Sequence, residues 1–253
     1  MPLLPGAEPF RGGDGPVGVL LVHGFTGSPA SMLPWATYLV EQGFTVSAPR
    51  LPGHGTRWQD MNATRWQDWY AEVERAYLAL REVTRAVAVG GLSMGGTLAL
   101  RLAQRHPREV AGLVLVNPSV FTERKDRFAL PAARFLLPSV PGVANDIKRA
   151  GVDEIAYDRT PLRAAYSLSQ LWSVVRADLG TVVAPVLVFR SEVDHVVEAS
   201  NTAYILDHVS STDTAERVLH DSFHVATLDN DAAEIFSGSS DFIDRVTAGV
   251  RDG

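Results

Sequence analysis

Residues 86–106 read AVAVGGLSMGGTLALRLAQRH. The run AVAVG predicts a buried strand and GGTLALRLAQRH a helix, so GLSMG (91–95) falls on the turn between them. A glycine-rich turn there could be flexible, or could let helix and sheet pack closely. It could also hold Ser93 as a nucleophile on a sharp bend, since G-x-S-x-G between strand and helix is the nucleophile-elbow pattern. In that reading Ser93 is strained, side chains at 91 or 95 would crowd the bend, and the helix amides favour an anion beside the serine. A phosphate loop fits less well, because neither G-K-[ST] nor G-x-G-x-x-G follows this strand.

Working outward, further apolar runs occur at 17–22 (VGVLLV), 44–49 (FTVSAP), 112–117 (GLVLVN), 185–190 (PVLVFR) and 216–219 (ERVL). Strands this apolar are buried on both faces, and amphipathic stretches between them predict an α/β fold with a mostly parallel central sheet flanked by helices. Helices are expected at 31–41, from Thr64 onward, and at 96–106, 198–209 and 231–247; Thr64 and Gln67 fit a capping box. The alternation breaks after Asn117. Residues 118–181 carry clustered prolines and a helical AAYSLSQLWSVVRADL, predicting a small helical cap inserted into a core of 1–117 and 182–253.

Composition narrows the function. The 253 residues are 46% hydrophobic, with a net charge of −6 and no block of like charges, which argues against a nucleic-acid partner. Without cysteine there is no disulfide, thiolate nucleophile or Cys-based metal site. MPLLPGAEPF has neither the basic start nor the apolar stretch of a signal peptide, and no run approaches the ~20 apolar residues of a membrane span. A cytoplasmic globular protein is expected.

A serine hydroxyl needs a base, and seven histidines are available. His23 and His54 lie in glycine-flanked loops, and His106 and His208 near helix ends. His195 directly follows a candidate acid, and His220 ends a strand. His224, in the loop HDSFHVATLD after the last strand, opens onto the sheet edge where the elbow emerges. Asp194, in SEVDHVV after PVLVFR, is the preferred acid; Glu192, Asp221 and Asp229 are its rivals. The chain order Ser93, Asp194, His224 is that of an α/β-hydrolase. Oxyanion donors are expected at the amides of Met94, after the nucleophile, and Phe25, after the strand in LLVHGFTGS. His23 itself is expected to be structural.

Together these residues resemble the serine hydrolases of the α/β-hydrolase fold, and more narrowly the bacterial monoacylglycerol lipases and their carboxylesterase relatives. The similarity runs through LLVHGFTGSP, PRLPGHGT, GLSMGGTLAL, DEIAYDRTP, SEVDHVV and SFHVATLD. It implies the triad Ser93, Asp194 and His224, oxyanion donors at Phe25 and Met94, a glycerol-binding role for Glu154, and an acyl-tunnel residue near Val143. RKDRFALPAARFLLP departs from the family pattern. The implied reaction cleaves a monoacylglycerol to glycerol and fatty acid through an acyl-serine, with no metal or cofactor.

Phe121, Phe128, Phe135, Leu136, Leu137 and Trp172 could line an acyl channel, or simply pack the cap onto the sheet. An exposed apolar cap edge could also touch a membrane transiently to collect the lipid ester. The alternatives are a short- or medium-chain carboxylesterase, a thioesterase, a carbon–carbon bond hydrolase, or a low-turnover ligand receptor on the same fold. Dehalogenases and epoxide hydrolases usually carry aspartate where this chain has Ser93.

Overall fold

The computed structural model describes residues 2–142 and 145–251. The strands of its main sheet are β1 (Phe10–Gly12), β2 (Val17–Val22), β3 (Thr45–Ala48), β4 (Ala86–Leu92) and β5 (Val110–Val116), followed, after a β6–β7 ribbon (Ser139–Pro141, Arg159–Pro161), by β8 (Val186–Ser191) and β9 (Thr214–Leu219). They lie in the order β1-β3-β2-β4-β5-β8-β9. All neighbours are parallel except β1, an antiparallel edge on β3.

The apolar runs are continuous because alternate side chains enter two different cores. Leu20, Val87, Val89, Leu113, Leu115 and Val188 pack with α3 (Trp66–Arg81) and α4 (Met94–Arg105) on one face. Val19, Leu21, Ala88, Val114, Val116 and Phe189 pack on the other face with α1 (Leu33–Glu41) and α8 (Ala232–Val246). Trp69 and Tyr77 of α3 and Trp35 of α1 are among the largest fully buried side chains, so each face has an aromatic anchor.

The remaining α-helices are α2 (Trp58–Asn62), α5 (Leu130–Leu136), α6 (Leu162–Asp178), α7 (Ser200–His208) and a short α9 (Ala248–Arg251). Helix α5, the ribbon and α6 lie between β5 and β8, the stretch expected to be largely helical. The start of α3 differs from the expected capping box by one residue. The Asp68 carboxylate accepts the Arg65 amide at 2.8 Å. The Thr64 hydroxyl instead accepts the Trp69 indole N–H at 2.9 Å, which ties the cap to a buried ring. Among the described residues no helix is long and apolar enough to cross a membrane.

Candidate active site

The ends of β2, β4, β5, β8 and β9 deliver their loops to one edge, as parallel strands must. At the end of β4, Ser93 has φ 55° and ψ −117° and stands directly before the first residue of α4. Its amide extends the β4–β5 ladder to the Val116 carbonyl at 2.9 Å. The bend depends on its glycines. A Cβ on Gly91 would lie 2.3 Å from the Gly95 carbonyl carbon, and one on Gly95 only 1.9 Å from the Val22 oxygen. Ser93 is 8% exposed, and what it exposes faces a cavity of about 450 Å³.

His224 lines the same cavity. Its Nδ1–H donates to Asp194 Oδ2 at 2.8 Å, leaving Nε2 for a reacting group. Asp194 Oδ1 accepts the amides of Val196 and Val197, each at 2.8 Å. Burial pushes the Asp194 carboxyl up, but the neighbouring His224 charge, the ring hydrogen bond and the two amides outweigh it, and Asp194 lies below its usual range. For His224, burial opposes the charged form; the charge and hydrogen bond of Asp194, helped by Glu154 and Asp146, outweigh it and raise the ring above its usual value.

The rival acids are engaged elsewhere. Glu192 pairs with exposed His220 at 2.8 Å, and Asp221 with Lys148 at 2.6 Å. Asp229 is buried and accepts the amides of Lys148, Arg149, Phe223 and Asn230.

The loop after β2 runs beside the serine: a Cβ on Gly24 would lie 3.6 Å from the Ser93 Cβ. Among the described residues, no backbone bond is seen for the Phe25 or Met94 amide. The histidines beneath this loop are structural. His23 Nδ1–H donates to the Gly24 carbonyl at 2.9 Å, and its Nε2 accepts the Leu51 amide at 3.2 Å. Burial lowers His23 to about 4 and His54 well below its ordinary value, so both are neutral. Their rings pack edge to face with each other at 5.0 Å, and His54 does so with Trp69 at 5.7 Å.

Glu154 lines the cavity with Ser93 and His224. Its Oε1 lies 2.7 Å from where a Gly27 Cβ would stand, so a side chain at 27 would displace the carboxylate from its present position. Glu154 is half-buried on the cavity wall, and burial raises its carboxyl to about 7 against the opposing charge of His224. Val143 lies outside the described residues. Of the aromatic and leucine side chains expected along an acyl channel, Phe121, Leu137 and Trp172 line the cavity. Phe128, Phe135 and Leu136 instead point outward, 75%, 72% and 81% exposed: Phe128 ends the turn before α5, and α5 itself buries no residue.

Sequence reasoning missed Asn117 and Asp146, and weighed Asp229 only as a rival acid rather than as an acceptor of backbone amides. Asn117, at φ 44°, donates from Nδ2 to the His224 carbonyl at 2.8 Å and accepts the Ser191 amide at 2.8 Å. Its signal was an asparagine ending a buried strand, where the chain must turn through the left-handed region.

A strained serine on a strand-to-helix bend, an Asp–His pair from two later strands and backbone amides beside it have the arrangement of a serine hydrolase on the α/β-hydrolase fold. The family model described as Serine aminopeptidase, S33 matches residues 17–231, and the chain belongs to this family of α/β hydrolases. It is 43% identical to the thermostable monoacylglycerol lipase of Bacillus sp. (strain H-257), over 95% of this chain and 96% of that protein. Identity to the carboxylesterase of Bacillus subtilis (strain 168) is 27%, over 94% of this chain and 95% of the relative. A solved structure from work on the metagenome-derived lipolytic enzymes LipS and LipT matches with a TM-score of 0.94 at 39% identity, covering 96% of this chain and 100% of that one.

Proposed function

We propose that the protein is a carboxylic ester hydrolase that cleaves monoacylglycerols to glycerol and fatty acid. The observation that carries this reading is that Ser93, the Asp194-held His224 and Glu154 all line one cavity whose wall is mostly apolar. His224 takes the Ser93 proton as Ser93 attacks the ester carbonyl, and the Phe25 and Met94 amides hold the oxyanion. The tetrahedral adduct collapses as His224 protonates the departing glycerol oxygen, leaving an acyl-serine. Water then gives a proton to His224 as it attacks the acyl carbon; the second adduct breaks its bond to Ser93 as His224 returns that proton to the Ser93 oxygen, releasing the fatty acid. Glu154 accepts hydrogen bonds from the glycerol hydroxyls, and Phe121, Leu137 and Trp172 hold the acyl chain.

In this reading residues 118–181 form a cap over a core of 1–117 and 182–253. The outward-facing Phe128, Phe135 and Leu136, beside Arg127 and Arg134, suit brief contact with a lipid surface. The likeness to a carboxylesterase favours one alternative, a simple-ester hydrolase with the same machinery.

A hydrolysis panel of monoacylglycerols, diacylglycerols and p-nitrophenyl esters separates the two. Glu154→Ala should reduce monoacylglycerol turnover far more than p-nitrophenyl butyrate turnover; equal losses would favour the simple-ester reading. Ser93→Ala, the blank, should lower kcat by roughly 10⁵–10⁶.

A further inference from the structure

Asp194 and His224 come from the ends of different strands, so their 2.8 Å contact requires two independent loops to be held in register. Asp146, from the β5–β8 segment, touches both. One carboxylate oxygen, Oδ2, accepts the amide of His195, next to the acid, and the amide of His224 itself, each at 3.2 Å. The other oxygen, Oδ1, accepts the His195 ring Nδ1–H at 2.8 Å. The Asp146 carbonyl accepts the Val225 amide at 3.1 Å, so one residue makes four hydrogen bonds to three residues of the two loops, His195, His224 and Val225. The side chain is 11% exposed and lies along the cavity wall.

We propose that Asp146 is a positioning residue for catalysis, locking the acid loop to the base loop and adding negative charge beside the His224 imidazolium. The proposal rests on His224 being the general base. Asp146 does not touch the reacting atoms; it acts through the backbone of His224 and through charge. The same segment also carries the expected leaving-group residue, since Asn145 Oδ1 accepts the Glu154 amide at 2.7 Å. Asp229 fastens it again from the other side, taking the amides of Lys148 and Phe223 on one oxygen. The His224 loop is therefore held by Asn117 from the core and by Asp146 from the β5–β8 segment.

The charged groups acting on His224 are Asp194, Glu154 and Asp146, and His195 faces Asp146. Removing the Asp146 charge should make the imidazolium less favourable and move the acid limb of kcat/KM to lower pH. The test uses p-nitrophenyl butyrate in a Glu154→Gln background, so that the remaining limb belongs to His224. Asp146→Ala should lower kcat at least tenfold with KM changed less than about threefold, and shift the limb. Asp146→Asn keeps an acceptor oxygen but no charge, so it should recover part of kcat and retain the shifted limb. His195→Ala leaves the Asp146 charge and its bond to the His224 amide, and should neither lose tenfold in kcat nor move the limb downward.

An unmoved limb in both Asp146 variants, or kcat within twofold of the parent, overturns the proposal. So does a His195→Ala variant that reproduces the Asp146→Ala loss. If Asp146→Ala fails to fold by thermal unfolding, Asp146→Asn decides alone. An active Ser93→Ala would overturn the triad reading beneath it; a dead Ser93→Ala with unaffected Asp146 variants overturns only the role of Asp146.

Discussion

Ser93 holds a backbone conformation that costs of order 1–3 kcal/mol for a residue with a side chain, and its neighbours hold it there. Its amide is bonded to Val116, the next residue begins a helix, and two glycines let strand and helix meet. Glu154 is the second residue whose surroundings set its chemistry. With its carboxyl raised to about 7, the ionised form grows in as pH rises through neutrality, and a carboxylate accepts hydrogen bonds from a diol more strongly than the acid does. The ratio of monoacylglycerol to p-nitrophenyl butyrate kcat/KM should therefore rise with pH around 7 and be flat in Glu154→Gln. A flat ratio in the unmodified protein would remove Glu154 from glycerol recognition.

At the scale of elements, the unit that matters is β4, its bend and α4. Gly95→Ala would drive a Cβ into the Val22 carbonyl; such overpacking typically costs about 1–3 kcal/mol. Urea unfolding should show the loss and esterase assays a larger fall in activity, because the bend itself must shift. A second prediction concerns the support under the β2 loop. His23 is neutral when folded, with its value lowered to about 4, so between pH 6.5 and about 4 the unfolded chain binds the extra proton. Its contribution to stability is thus complete above pH 6.5 and declines as pH falls through that window. The stability difference between the parent and His23→Gln should shrink on acidification from 6.5 and stay constant above it; a difference independent of pH would mean that His23 is not held neutral.

The long strands and their helices were legible because burial on both faces leaves an unbroken apolar run, as in VGVLLV. Strands β1, β6 and β7 were not, since three residues each carry no periodicity. The α3 cap was displaced because Thr64 and Asp68 both offer an acceptor, and the buried Trp69 indole claims the threonine.

Across the whole molecule, the switch in strand order gathers side chains from five strand ends around one cavity. Ser93, Asp194 and His224 could be read from the sequence because each follows an apolar run and their order is informative. Asn117 and Asp146 could not, nor could the amide-accepting role of Asp229. They act on backbone amides and carbonyls of loops far away in the chain, and no spacing rule encodes such contacts. The outward turn of Phe135 and Leu136 was equally hidden, because a short helix rich in large apolar residues reads the same whether it faces a cavity or solvent.

If that apolar face meets lipid, the protein should float with liposomes, and the double variant Phe135→Ser, Leu136→Ser should float less. No flotation at low or high salt would remove the membrane contact without touching the chemistry.

The chemistry itself is tested most directly by trapping the intermediate. Acid-quenching the protein during turnover of a monoacylglycerol and mapping its peptides by mass spectrometry should show the acyl group on the peptide containing Ser93, and none in Ser93→Ala. Steady turnover with no acyl adduct on Ser93, or with Ser93→Ala still active, would contradict the account.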